Sequence, residues 1–313
     1  MRAFVVGNYM NANFMCVERL PRPGESLAAS RFFQEHGGKG LNLAVGLQRL
    51  GVRVDLLMAV GADGAGAAVK EYLAREGVGI HRVLMLGRTS GFGVGFIAAD
   101  GSNFLVVHPG ANALLTKDHV DEAFGLIAAA DWVLAQFESL DPVVLRAFTW
   151  ARRLGKRTCL NPSPWRRLDE RILALTDVLV VNATEAAQLF ARSPLADLTR
   201  EEWVAQLPSL ARQLGWGGVM LVITLGDQGS VALDQEGKAW CRPAYNIHQV
   251  DATGAGDAFG SGLVWALLRG LDLGKALEIG NACGALIAAR EGILDGLPHP
   301  PDLEAFLAAA IPG

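Results

Sequence analysis

Asp257 is the residue for which a chemical role is easiest to write. It follows Thr253-Gly254-Ala255-Gly256 and precedes Ala258, Phe259, Leu263, Val264, Ala266 and Leu267, apolar residues at helical spacing. Two glycines in three residues let the backbone bend sharply and bring its amides close to a ligand. At a helix start those amides are unpaired and the dipole end is positive, which suits a phosphate or a developing oxyanion. Asp257 falls in the first turn, where it can face the same ligand and take a proton from a hydroxyl. The plainer alternative is an acid that only caps its helix.

Three other stretches offer partners. Gly37-Gly38-Lys39-Gly40-Leu41-Asn42 opens a second apolar helix, and its glycines let the Lys39 ammonium approach a ligand; a solvated loop lysine is the alternative. Glu138 stands just past an apolar strand and suits sugar hydroxyls, or else it faces solvent. Asn182 and Glu185 are three apart, the spacing of a helix-capping pair. Glu185 could equally order the waters of Mg²⁺, an ion that binds few protein carboxylates and keeps much of its hydration. Both readings can hold at once.

In this order the stretches resemble the ribokinase-like (PfkB) family of sugar kinases, which carries GGKGxN early, NxxE mid-chain and DTxGAGD late. The last reads here Asp251-Ala252-Thr253-Gly254-Ala255-Gly256-Asp257. Gly110-Ala111-Asn112-Ala113, Gln136-Phe137-Glu138 and Asn161-Pro162 extend the resemblance, which runs from about Val5 to Phe306 and is closest to ribokinases. It implies ATP as phosphoryl donor, Asp257 as general base, and an anion hole at Gly254, Ala255 and Gly256. It implies sugar contacts from Asn11, Asn13, Gly38, Lys39, Asn42 and Glu138. On the nucleotide side it implies Asn182, Thr224, Gly226, Gly229, Gly256 and Asn281. Glu185 would hold Mg²⁺ through water, and Asp251 would bind K⁺ with carbonyls from the 288–295 region. Family members often pair through their lids, so a homodimer is expected, with Phe92 and Phe96 as candidate contacts. One departure bears on the substrate: ribokinases commonly have Asn-Ala-Asp after the first strand, and this chain has Asn11-Ala12-Asn13. A neutral amide there makes ribose itself doubtful, unless Asn13 only holds the loop in shape.

The totals exclude other classes. A net charge of −4 gives no basic field for nucleic acid. Nowhere do the ~20 uninterrupted apolar residues of a membrane span occur. Arg2 followed by the short Ala3 to Val6 reads as a first strand rather than a signal peptide, so the cytoplasm is expected. Cys16, Cys159, Cys241 and Cys283 form no CxxC pair, and the six histidines form no HExxH. No Walker A loop is present, since Gly270 to Ala276 has the wrong spacing.

The pattern around these residues predicts an α/β fold: a three-layer sandwich with a mostly parallel sheet and a small β-sheet lid. One domain spans 1–313, its lid drawn from about 12–36 and 88–108. Gly7 to Asn13 reads as a polar exit from the first strand, and Leu27 to Phe33 as a strand outside the main sheet. Phe92 to Val107 reads as a hairpin turning at Asp100-Gly101. Helices are expected at Gly40 to Leu50, Gly66 to Glu76, Lys117 to Ala130, Pro142 to Leu154, Ala255 to Arg269, Leu273 to Arg290 and Asp302 to Ala310. Gly229 to Asp234 and Lys238 to Tyr245 read as an antiparallel hairpin at one edge. A nucleoside kinase of the same fold is the near alternative. A non-catalytic sugar-binding regulator has little reason to keep Asp257 behind its glycines, and an NAD-dependent oxidoreductase lacks GxGxxG after the first strand.

Overall fold

Runs of apolar residues such as Leu56 to Val60, buried on both sides, are what a central parallel strand requires. The computed structural model, which describes residues 1–100 and 102–309, assembles nine strands into one sheet. They are β1 (Arg2–Val6), β4 (Arg53–Val60), β5 (Gly79–Met85), β8 (Trp132–Gln136), β9 (Arg157–Asn161), β10 (Val178–Asn182), β11 (Met220–Thr224), β12 (Ser230–Asp234) and β13 (Ala239–Arg242). Their order is β13-β12-β11-β10-β9-β8-β1-β4-β5. All neighbours are parallel except the β11-β12-β13 edge, where the expected hairpin lies.

Alternate residues of each strand feed two cores. Val5, Leu56 and Leu134 face the helices Lys39–Arg49, Ala255–Leu268 and Leu273–Ala288. Phe4, Leu57 and Val133 face Asp141–Arg153 and Arg200–Leu214 on the other side. The first layer is packed tightly through small residues. A Cβ on Gly46 would stand 2.4 Å from the Ser261 hydroxyl, and one on Gly262 would stand 2.7 Å from Cys283 Sγ.

A second sheet, in the order β3-β2-β6-β7, forms the lid. Its strands are β2 (Met10–Val17), β3 (Arg31–Gly37), β6 (Phe92–Ala98) and β7 (Asn103–His108). Four local expectations need correction. Asn11 and Asn13 lie within β2, not in a turn, because cross-strand pairing supplies the partners that their own propensity does not. The strand expected at Leu27 to Phe33 begins later and ends at Gly37. The helix expected over Lys117 to Ala130 is two short ones, Lys117–Asp121 and Phe124–Ala129. β5 gave no clear alternation and was not anticipated. The Gly101 turn residue and the Ala310 helix end lie outside the described residues. Among the described residues no helix is long and apolar enough to cross a membrane.

Candidate active site

The site forms where two helices begin beside the end of β1. The Lys39–Arg49 helix can start there only because its leading glycines lack side chains. A Cβ on Gly40 would stand 2.3 Å from Gly7 Cα. Gly38 has φ of 122°, and a Cβ there would stand 2.5 Å from the Asn8 carbonyl. The Asn8 side chain accepts from the Gly40 amide at 3.3 Å. Glu138 accepts from the Lys39 amide at 2.7 Å, a carboxylate at the positive end of the helix.

The second helix, Ala255–Leu268, brings Asp257. Gly254 caps it in the left-handed conformation, φ 80°, with Ile293 packed 2.6 Å from where its Cβ would be. Of the three expected anion-hole residues, Ala255 turns its amide back to the Ala252 carbonyl at 3.1 Å. Among the described residues the Gly256 and Asp257 amides have no backbone acceptor, the usual state of a helix's first turn. Asp257 is buried, and Asn42 Nδ2 donates to its Oδ2 at 2.8 Å, joining the two helix starts. Burial pushes the Asp257 carboxyl up to about 6; Lys39 and the Asn42 bond oppose the rise, while Glu138 and Glu185 add to it. Asn42 Oδ1 and Gln136 Oε1 are buried close by without a donor. An orphaned buried acceptor costs stability unless something supplies a donor, and an incoming hydroxyl can. Gln136 was missed by sequence reasoning; its signal is a polar residue closing an otherwise apolar strand.

Beyond Gly256 opens a cavity of about 440 Å³. It is lined by Thr224, Gly226, Gly229, Gly256 and Asn281, all assigned from sequence to the nucleotide side. Its unforeseen walls join apolar or small residues, Tyr245, Ile247, Phe259, Gly284, Ala285 and Ala288, to the polar Asp227, Asn246 and Gln249. Asn281 donates to the carbonyls of Arg242 and Pro243, at 3.2 and 2.9 Å, and so fixes the segment leaving β13. Asn182 does not line the cavity but stands beside Thr224 across the β10–β11 pair. Asn182 and Glu185 form a full capping box: Asn182 Oδ1 accepts from the Glu185 amide at 2.8 Å, and Glu185 Oε2 accepts from the Asn182 amide at 3.0 Å.

Asp251 is exposed and accepts from the amide and hydroxyl of Thr253, at 2.9 and 2.7 Å. The Ala288 carbonyl accepts from the Val250 and Asp251 amides, so these two segments do meet. In the lid, Asn13 donates to the carbonyls of Asn11 and Gly93, at 2.9 and 3.1 Å, and accepts from Gln34 at 2.8 Å. Asn112 clamps the lid's root, exchanging hydrogen bonds with the Tyr9 backbone in both directions.

Comparison with known proteins gives the chain its family and fold. The model of the pfkB family of carbohydrate kinases fits residues 2–300. A ribokinase of Haemophilus influenzae is 30% identical over 98% of both chains. Among solved structures, a ribokinase of Thermotoga maritima superposes with a TM-score of 0.84 at 25% identity, over 98% of this chain and 99% of its own. A ribokinase of Arabidopsis thaliana, solved with ribose and ATP, reaches 0.89 at 24% identity over 98% of each. This chain belongs to the pfkB family of carbohydrate kinases, ATP-dependent phosphotransferases.

Proposed function

We propose that the chain transfers the γ-phosphoryl group of ATP to a primary hydroxyl of a small sugar, ribose-like or ketohexose, with Asp257 as the general base. The observation that carries this reading is the buried Asp257, tuned to about 6 at the unpaired start of a helix and adjoining the nucleotide-sized cavity. A base with that pKa is ionised at neutral pH yet still able to accept a proton. Asn42 holds one carboxylate oxygen and leaves the other for the hydroxyl. The Gly256 and Asp257 amides suit the charge that gathers on the moving phosphoryl, and a closed, dry site strengthens them. Lys39 and Glu138 would orient the sugar.

Among the described residues no three His, Cys, Asp or Glu side chains cluster as metal ligands. That suits an ion held by one carboxylate through water, and Glu185 retains Oε1 for the purpose. Bound Mg²⁺ would neutralise phosphate charge. Asp251, with the carbonyls near Ala288, would bind K⁺ and stiffen the Gly254 turn. The lid supports pairing with a second copy along β7. Phe104, Leu105, Val106 and Val107 are each more than half exposed there, whereas Phe92 and Phe96 are half-buried. A long apolar edge is normally covered.

ADP formation from ATP with a panel of pentoses, ketohexoses and nucleosides tests the reaction. Turnover of a free sugar, dependent on Mg²⁺ and stimulated by K⁺, is expected. Activity confined to nucleosides would move the chain to the nucleoside-kinase reading, and binding without ADP formation would make it a regulator. Sedimentation at the mass of one chain, at high concentration, would remove the dimer.

A further inference from the structure

Two strands of the main sheet end in polar residues on the face that carries Asp257. Side chains two apart in a strand point the same way. Gln136 therefore follows Leu134 toward the helix Ala255–Leu268, and Asn161 follows Cys159. The two are direct neighbours across the β8–β9 pair, so they stand side by side. Gln136 is only 2% exposed, yet its Oε1 has no donor among the described residues. Asn161 Nδ2 gives one hydrogen to the Val180 carbonyl at 2.8 Å and keeps a second.

A cavity of about 20 Å³ lies between these strand ends and the helix, and Gln136, Asn161 and Asp257 all line it. A space of about 10–15 Å³ or more admits one water, provided that polar groups meet it. The space exists because residue 260, one turn on from Asp257, is glycine. A Cβ there would meet Leu43 Cδ1 at 3.5 Å and, its chain neighbours and the nearby helix backbone aside, nothing else within 4 Å. Two acceptors thus share one small chamber, an amide oxygen and a carboxylate. A single water can donate to both and accept from Asn161.

We propose that this cavity holds one ordered water that donates to Gln136 Oε1 and to the Asp257 carboxylate, so that Gln136 is a positioning residue for the base. The catalytic part of this inference rests on the kinase reading above; the water does not. Asn42 holds the carboxylate from one side, and the water braces it from another. Each carboxylate oxygen can accept twice, so a site remains for the alcohol. A donor to a carboxylate favours its ionised form, and losing the water should raise the pH at which Asp257 titrates. The charged groups bearing on Asp257 are Lys39 at the neighbouring helix start, Glu138 after β8 and Glu185 after β10. Cys159, across the cavity, is a neutral thiol that burial pushes up to about 12.

A high-resolution crystal structure of the full chain should show one water within hydrogen-bonding distance of Gln136 and Asp257. Two variants remove it by different routes. Gln136→Met takes away the acceptor, and Gly260→Ala fills the space while keeping Gln136. Alanine is favoured over glycine inside a helix, so Gly260→Ala should melt no lower than the wild type. In each variant the acid limb of kcat/KM should move up by about one pH unit, the scale of a lost hydrogen bond to a charged group. KM for ATP should not change. The double variant should move the limb no further, since both changes remove the same water. A dry cavity in the wild type overturns the proposal whatever the activity. So does an unmoved limb in either variant, or a double variant whose shifts add. A wild type that phosphorylates no alcohol overturns the kinase reading, and the catalytic role of Gln136 with it, while the density still decides the water.

Discussion

The two ends of the cleft are built by different means. At the proposed alcohol end, polar groups from separate elements are cross-linked: the Asn42 side chain donates to Asp257 of another helix, and the Lys39 backbone amide donates to Glu138 in the loop after β8. Asn42 and Asp257 are buried, Lys39 and Glu138 half-buried, and each pair is fixed at hydrogen-bonding distance. At the nucleotide end, space does the work. Gly284, Ala285 and Ala288 leave a cavity of about 440 Å³, and Phe259, Tyr245 and Ile247 wall it. On the proposed function one end would select by directed bonds and the other chiefly by shape, so substitutions should act on them in different ways.

The sharpest test removes the charge and keeps the shape. Asp257→Asn should lower kcat by about 10² or more, the scale of losing a positioned base. ATP binding, measured by calorimetry, should hardly change. A variant with near-normal turnover would break the division, since the alcohol end would then work without its carboxylate.

The same carboxyl connects activity to stability. It titrates near 3.8 when unperturbed and near 6 in the folded chain, with burial as the main cause. Between those values the native state binds more protons, so this group's contribution to stability falls as pH rises from 3.8 through 6. Asp257→Asn should therefore unfold later than the wild type at pH 8, by on the order of 2 kcal/mol. The gain should vanish near pH 4, and denaturant melts at the two pH values would read it. In the wild type, kcat/KM should lose its base on an acid limb near pH 6. A limb near pH 4 would mean that Asp257 is solvated in the working enzyme.

At the other end volume should matter more than charge. A Cβ on Gly284 would already stand 3.3 Å from the Ala255 carbonyl. Gly284→Val should raise KM for ATP by about 10-fold, as a branched side chain intrudes on a fitted pocket. KM for the alcohol should stay put; if both rise together, the two ends are not separable. The smallest effect is expected in the lid. Asn13→Ala should cost about 1 kcal/mol in thermal unfolding through its lost internal bonds.

The same contrast explains what could be read beforehand. The α/β alternation was legible because buried strands are near-continuous apolar runs, as in Leu56 to Val60 of β4 and Val178 to Val181 of β10. Lys39, Asn42 and Asp257 were legible because glycines must precede helices that start so close to a strand or ligand. The nucleotide wall was not, since Tyr245, Ile247 and Phe259 carry no pattern that separates a cavity lining from a core. Nor could the lid's faces be read. Reading Asn11 and Asn13 as part of a turn hid the strand, and only the pairing of β2 with β3 reveals which residues face together.

The strand order carries a consequence for how the protein is made. β1 is the first strand to leave the ribosome and becomes a central one, with β4 on one side and β8 on the other. From β8 to β13 the sheet then widens in strict chain order, each new strand docking on the edge just made. All nine strands have therefore been synthesised before residue 243 is added. The helices Ala255–Leu268 and Leu273–Ala288, which cover one face of the finished sheet, the first carrying Asp257, come later, so that face is closed only near the end of synthesis.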